Sequence, residues 1–546
     1  MVAPESVDKK PAETTDDGPT FDDVLRLAGG SGRWQLKHIV WLSKTCINLS
    51  FFLMGMIFLG AEPEHRCADG FAADVGFASL PADAPRCPSA GANCSRWVYD
   101  TSDVGNTVVA QWHLVCGRKP LLSLLQSVPM AGGLLGALTT GMFADRFGRR
   151  PVTLAGSTLY AVTALASCAV HHYQLLLAIR FVSGVGCAFS LSPLVVLILE
   201  IVTPEWRLLI GLLIQVPFAL GVMALSAMAY LLPNWWHLQL AMAIPTLLYI
   251  IDFWVMPESP RWLVRTGRLP AATAVLRRIA ATNGAVLPDD DALSQMLQRV
   301  YEAERSQKVA AEANGCLSFL GQLVQLLRTP QMRRYMLVTF FCWLAAGLSY
   351  FGIAFDLGQL SASRYVANCL SGLVEIPAYI VPWMTATRWG RRPTVCALFL
   401  LAAASILPVV AVRDWRLSLT LGLLGKFAVT GAFGLLYVYT PEYVPTLLRT
   451  IGLGAASVSA RIGSIVAPFI IDLAREAHPS APTVVFGVLA LLAGLGALLL
   501  PETAGRHLPE TVAELESGAW LRQPPDCRET IADLLPGARR DQRAAS

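Results

Sequence analysis

Gly141-Met-Phe-Ala-Asp145-Arg146-Phe-Gly148-Arg149-Arg150 carries an apolar segment into a tight, multiply charged turn and straight out into a second apolar segment. Two membrane-length helices must meet there. The device returns as Arg388-Trp-Gly390-Arg391-Arg392, and other pairs recur at a similar offset. Thr203-Pro-Glu205 answers to Thr440-Pro-Glu442, and Pro257-Glu258-Ser to Pro501-Glu502-Thr. A repeat of roughly 240 residues, each copy holding several apolar spans, marks a transporter of two homologous halves with its site between them.

Composition agrees. The chain is 54% hydrophobic and only 15% charged, with a mean hydropathy of +0.50 over 546 residues, which describes a polytopic membrane protein. The net charge of +4 carries no nucleic-acid signal, because the basic residues sit in short loops beside apolar spans and report orientation. No signal peptide is read. A polar tail over 1–37 is expected to be mostly disordered, with a short surface helix at Phe21 to Leu27. It precedes a retained first span that enters from the cytoplasm.

Twelve spans of about 20 residues are predicted, six in an N-terminal half over 38–256 and six in a C-terminal half over 334–500. A basic cytoplasmic linker over 257–333 should form short amphipathic helices, and a cytoplasmic tail follows over 501–546. Under this count the arginine-rich turns and both termini share one side, as the positive-inside bias requires. The large polar loop over 61–119 then lies outside. It holds Cys67, Cys87, Cys94 and Cys116 and the glycosylation sequon at Asn93. Four cysteines allow three pairings, and the sequence does not choose among them.

The repeated turns read as a cytoplasmic gate. Gly141, Gly148 and Gly390 permit close approach, and Asp145 is placed to accept from a helix N-terminus. Arg146, Arg149, Arg150, Arg388, Arg391 and Arg392 are placed to pair with carboxylates on neighbouring helix ends. Glu205 with Arg207, Glu258 with Arg261, and Glu442 with Arg449 complete the expected charge set.

Ionisable residues at mid-span are costly, about 2.5–3.5 kcal/mol each even on the mild insertion scale, so they must face a cavity or a partner. Glu375, Lys426 and Arg461 satisfy that criterion. Trp343, Tyr350 and Tyr379 add aromatic faces and hydroxyls, and Gln215 is a polar residue inside the fifth span. A membrane enzyme would need a His/Asp/Glu cluster or a nucleophile with its base. His171-His172, in a short loop without a carboxylate nearby, does not supply one.

These residues resemble the major facilitator superfamily, and within it the organic cation, carnitine and organic anion transporters. Gly141 to Arg150 and Pro257-Glu-Ser-Pro-Arg-Trp-Leu263 are shared with sugar porters. The cysteine-bearing loop with Gln111-Trp-His-Leu-Val-Cys116, the stretch Tyr437-Val-Tyr-Thr-Pro-Glu442, and Trp343 to Gly352 in place of a Gln-Gln pair argue against a sugar porter. The resemblance implies an all-α membrane fold of twelve helices in two pseudo-symmetric six-helix bundles. It also implies a plasma-membrane, alternating-access carrier of a small organic cation or carnitine-like zwitterion. An organic anion carrier and a non-transporting, receptor-like relative are the alternatives. Arg461, where cation-selective members typically carry Asp, is expected to take a substrate carboxylate, with Glu375 and the aromatics holding a cationic amine. Beyond substrate and lipid no partner is expected, a monomer suffices, and no metal or cofactor is called for. A coupling ion, sodium or proton, is left open.

Overall fold

The structure is a computed structural model describing residues 20–522 except 70, 72–76, 82–86, 88–93, 103, 314–318, 362 and 507. The tail expected to be disordered over residues 1–19, the sequon residue Asn93, and the chain from 523 lie outside the described residues.

Among the described residues, eleven helices are long and apolar enough to cross a membrane and a twelfth is shorter. They are α1 (Arg33–Leu59), α2 (Cys116–Phe147), α3 (Arg149–Ala169), α4 (Tyr173–Glu200), α5 (Pro204–Leu231), α6 (Trp235–Val255), α7 (Pro330–Asp356), α8 (Arg364–Trp389), α9 (Arg391–Ala411), α10 (Trp415–Tyr443), α11 (Arg449–Ala477) and α12 (Ala481–Ala497). The first begins six residues earlier than hydropathy places it. The amphipathic turn at its start is held by Asn283 of the linker, whose Oδ1 accepts from the Trp34 amide at 2.9 Å.

In the first half α2 packs on α4, α4 on α3 and α5 on α1; in the second α7 packs on α11 and α10 on α8. The halves meet where α5 lies against α8 and α2 against α11. Glycine sets the α2–α4 distance. A Cβ built on Gly132 would lie 2.0 Å from the Phe181 carbonyl oxygen, and one on Gly184 would lie 2.0 Å from that of Pro129. Small residues are how membrane helices gain contact where no hydrophobic drive separates them from lipid.

One face carries the linker, whose helices are Pro260–Arg265, Leu269–Asn283, Asp290–Ala313 and Phe319–Arg328. The third, at 24 residues, is longer than the short helices expected there. The helix Phe21–Leu27 also sits on this face, docked rather than free. Thr20 caps it in a capping box with Asp23, and Phe21, Val24 and Leu25 are buried. The Thr20 hydroxyl holds the Asp23 carboxyl below its ordinary range.

The opposite face carries the large loop. Its strands β1 (His65–Cys67) and β2 (Trp97–Tyr99) pair antiparallel, His65 opposite Tyr99. The open choice of disulfides resolves to Cys67–Cys94 and Cys87–Cys116. The Ser95 backbone N–H, with the Ser95 hydroxyl and Arg96, holds the Asp69 carboxyl below its ordinary range.

Candidate functional site

Between the halves lies a cavity of ≈ 250 Å³, walled by α1, α2, α4, α5, α7, α8, α10 and α11. Its surface is mostly apolar and aromatic, with Phe52, Phe218, Phe351 and Phe433 contributing rings. Such a lining, with few fixed polar groups, suits a small amphiphilic ligand. Of the residues singled out in the sequence, Arg461, Tyr350, Tyr379 and Gln215 line it.

Glu375 and Lys426 stand just behind that wall. Both are 1% exposed and paired at 3.2 Å. Glu375 Oε1 also accepts from the Tyr350 hydroxyl at 2.7 Å, and Oε2 from the Tyr379 hydroxyl at 3.2 Å. Lys426 Nζ sits 3.2 Å from the Tyr350 ring centroid. The carboxylate is therefore neutralised by an ammonium and shielded by two phenols, whose rings form the cavity surface. Arg461 has no ion-pair partner within 4 Å among the described residues, and it is the one charged side chain on the cavity wall.

Trp343 does not reach the cavity. It is fully buried, donates Nε1 to the Thr440 hydroxyl at 3.0 Å, and packs edge-on against Phe433 and Tyr437. Those two rings line the site in its place. They escaped sequence reading because aromatics in an apolar helix carry no signal that separates packing from ligand contact.

The repeated charged turns make a second site, on the linker face, in two matching copies. Glu258 accepts from the backbone N–H groups of Arg149 and Arg150, at 3.0 and 3.2 Å, capping the start of α3. Glu502 does the same for Arg391 and Arg392 at the start of α9, at 3.0 and 3.1 Å. An anion at a helix N-terminus meets free N–H groups and the positive end of the helix dipole. Burial pushes the Glu258 carboxyl up, against the pull of those amides. Arg149 then pairs with Glu200 at 3.2 Å, as Arg391 pairs with Glu442 at 3.2 Å.

Several expected pairings differ. The N-terminal capping role belongs to Glu258 and Glu502, not to Asp145, which pairs across the Gly148 turn with Arg149, the first residue of α3, at 3.1 Å. Gly141 has open space around it and brings nothing close, whereas Gly148 and Gly390 do. Glu205 bonds Arg26, and Arg207 bonds Asp22, with Arg261 3.9 Å from the same carboxylate, because the docked helix Phe21–Leu27 supplies both partners. Glu442 is taken by Arg391, leaving Arg449 on the Thr446 hydroxyl at 3.4 Å. Arg150 donates to the Phe253 carbonyl, Arg146 lies over the Phe147 ring, and Arg388 is exposed.

A family model described as "Sugar (and other) transporter" matches residues 89–514. The organic cation transporter protein of Drosophila melanogaster is 31% identical over 94% of this chain and 97% of its own length. Solute carrier family 22 member 6 of Mus musculus is 32% identical over 94% and 98%. The chain belongs to solute carrier family 22, within the major facilitator superfamily. Organic anion transporter 3 of Homo sapiens is also similar, at 29% identity over 93% of this chain. Among solved structures, an inward-open xylose transporter from E. coli superposes with a TM-score of 0.61 at 16% identity, covering 88% of this chain and 99% of that one, which shows the fold. As a major facilitator the protein is a multi-pass membrane transporter and not an enzyme. In that light the solute carrier's central cavity is its candidate substrate site and the paired caps its candidate conformational latches.

Proposed function

We propose that this solute carrier moves small organic ions bearing an anionic group across the plasma membrane by alternating access, with Arg461 as the substrate anchor. The observation that carries the reading is the charge count at the cavity. Glu375 and Lys426 cancel one another behind Tyr350 and Tyr379, so the remaining fixed charge facing the ligand is the Arg461 guanidinium. A planar fork of donors in an apolar site recognises a carboxylate or sulfonate well. The expectation that Glu375 holds an amine directly changes accordingly. A zwitterion is the second reading, favoured by the aromatic faces of Tyr350, Tyr379, Phe433 and Tyr437 around the same cavity, which suit a quaternary or primary ammonium. We further propose that the linker face is cytoplasmic. Two disulfides in the opposite loop suit an oxidising compartment, and the arginine-rich turns follow the positive-inside bias.

The deciding experiment is uptake into cells expressing the chain, with labelled p-aminohippurate, carnitine and tetraethylammonium offered in parallel to wild type and Arg461→Ala. Entry of p-aminohippurate that Arg461→Ala loses supports the anion reading, and entry of carnitine alone supports the zwitterion. Entry of tetraethylammonium alone, untouched by Arg461→Ala, overturns both. No uptake of any probe despite surface expression moves the receptor-like alternative forward.

A further inference from the structure

Arg180, near the loop-face end of α4, is the least explained charge in the molecule. It is only 7% exposed, its Nη1 has no hydrogen-bond partner, and among the described residues no carboxylate lies within 4 Å of it. The other buried cations are matched, Lys426 by Glu375 and Arg149 by Glu200, both at 3.2 Å, and the less deeply placed Lys44 is paired with Asp252 at 2.6 Å. An unpaired buried guanidinium pays a large desolvation cost with no protein group to offset it. Arg180 also lines a small cavity of ≈ 20 Å³ between α1, α3, α4 and α6, with Tyr160, Ser167, Ser183 and Gln239 as its polar neighbours. Phe52 lines both this cavity and the central one.

The hydroxyls there are already committed. Tyr160 donates to the Asn48 carbonyl at 3.2 Å, Ser167 to that of Ala164 at 2.6 Å, and Ser183 to the Thr163 hydroxyl at 2.7 Å. Gln239 Nε2 gives one proton to Ser167 at 2.9 Å and retains a second. None of these oxygens accepts from Arg180 among the described residues, so its positive charge and the second Gln239 proton stay open to a ligand. The volume exceeds the roughly 10–15 Å³ that one water-sized occupant needs, yet it is too small for a multi-atom organic acid.

We propose that this cavity is a monatomic anion site, holding a halide such as chloride against the Arg180 guanidinium with help from the Gln239 amide. The site is distinct from the Arg461 cavity and does not depend on the substrate assigned there. A bound halide would turn a costly lone cation into a neutral element at the junction of α1, α3, α4 and α6. The stability of the N-terminal half would then depend on halide.

The test uses the full chain, purified and held at constant ionic strength while sodium bromide or chloride replaces sodium gluconate. Halide should raise the melting temperature saturably, Arg180→Gln should abolish the shift, and Arg461→Gln should retain it. A wild type indifferent to halide, a shift that survives Arg180→Gln, or a shift lost only in Arg461→Gln each overturns the proposal. Should Arg180→Gln fail to fold, bromide-soaked crystals of wild type decide. An anomalous peak beside Arg180 supports the site, and a peak only at Arg461, or none at either, sinks it.

Discussion

Glu375 can sit in the bundle at 1% exposure only because three neighbours use its lone pairs. Lys426 supplies the countercharge, and Tyr350 and Tyr379 supply hydroxyl donors. Removing one member of such a buried pair typically costs about 3–5 kcal/mol, because the other is left charged and unsolvated, whereas removing both is far cheaper. Lys426→Met alone should therefore reduce folded protein at the cell surface, and Glu375→Gln/Lys426→Met should restore most of it. Surface expression and melting temperature of the four-member cycle check this. Single variants as stable as the double would show that the pair is not coupled. Arg461 is the opposite case, a charged side chain on the cavity wall with no ion-pair partner among the described residues, and the proposed anchor role makes it dispensable to folding. Losing a charge-assisted hydrogen bond of about 1.5–3 kcal/mol should lower apparent affinity for an anionic substrate by about 10- to 100-fold in Arg461→Ala, with little change in melting temperature. A concentration series of uptake reads the first, and thermal unfolding of the purified variant reads the second.

At the scale of elements, the turns entering α3 and α9 are one device used twice. Gly148 has φ +107 and Gly390 φ +102, a region that residues with side chains rarely occupy. A Cβ at either position would also fall 2.3 Å from Glu258 Oε2 or 2.6 Å from Glu502 Oε2. Gly148→Ala and Gly390→Ala thus strain the backbone and displace the capping carboxylate together, a cost of about 1–3 kcal/mol for the backbone alone. Each should lower the melting temperature, while Gly141→Ala, with nothing within 4 Å, should not. Equal behaviour of all three glycines would refute this assignment. The repeat itself was legible in the sequence, because a charged turn between two apolar spans has one reading and its recurrence fixes the two halves. Which carboxylate answers which arginine was not. Glu258 lies over a hundred residues from Arg149, and only folding brings the α3 start onto it. The partners of Glu205 and Arg207 lie on a seven-residue helix whose buried face hydropathy does not distinguish from a surface one. Mid-span position likewise marked Glu375, Lys426 and Arg461 as consequential without telling a mutually satisfied pair from an open anchor. That distinction depends on helix rotation.

For the whole molecule, the hydrogen bonds that join the two halves among the described residues are all on the loop side or near mid-depth. Ser123 reaches Asp472 and the Pro468 carbonyl, Ser127 donates to the Ile465 carbonyl at 2.6 Å, and Asn368 Nδ2 donates to the Ser226 hydroxyl at 2.8 Å and the Val222 carbonyl at 3.3 Å. Tyr365 of α8 stacks on Phe58 of α1 and meets Tyr230 of α5 edge-on. On the linker side the described ion pairs stay within one half and its attached linker, as with Arg149–Glu200 and Arg391–Glu442. A carrier that alternates must break the loop-side set to admit substrate from that face. Apart from the bond to the Asp472 carboxylate, of the kind worth about 1.5–3 kcal/mol, these contacts are neutral hydrogen bonds and ring contacts, each worth about 0.5–1.5 kcal/mol net, weak enough to be exchanged for ligand contacts during a cycle. Tying that face shut should therefore halt transport without unfolding the protein. With Ser226→Cys and Asn368→Cys combined, oxidation is expected to join α5 to α8 and abolish uptake, and reduction to restore it. Each single cysteine variant should stay indifferent to oxidant, which also controls for the native Cys369 beside Asn368. Uptake that continues at the wild-type rate in fully cross-linked protein would mean that α5 and α8 need not part on this face, and the alternating-access reading of these contacts would fall.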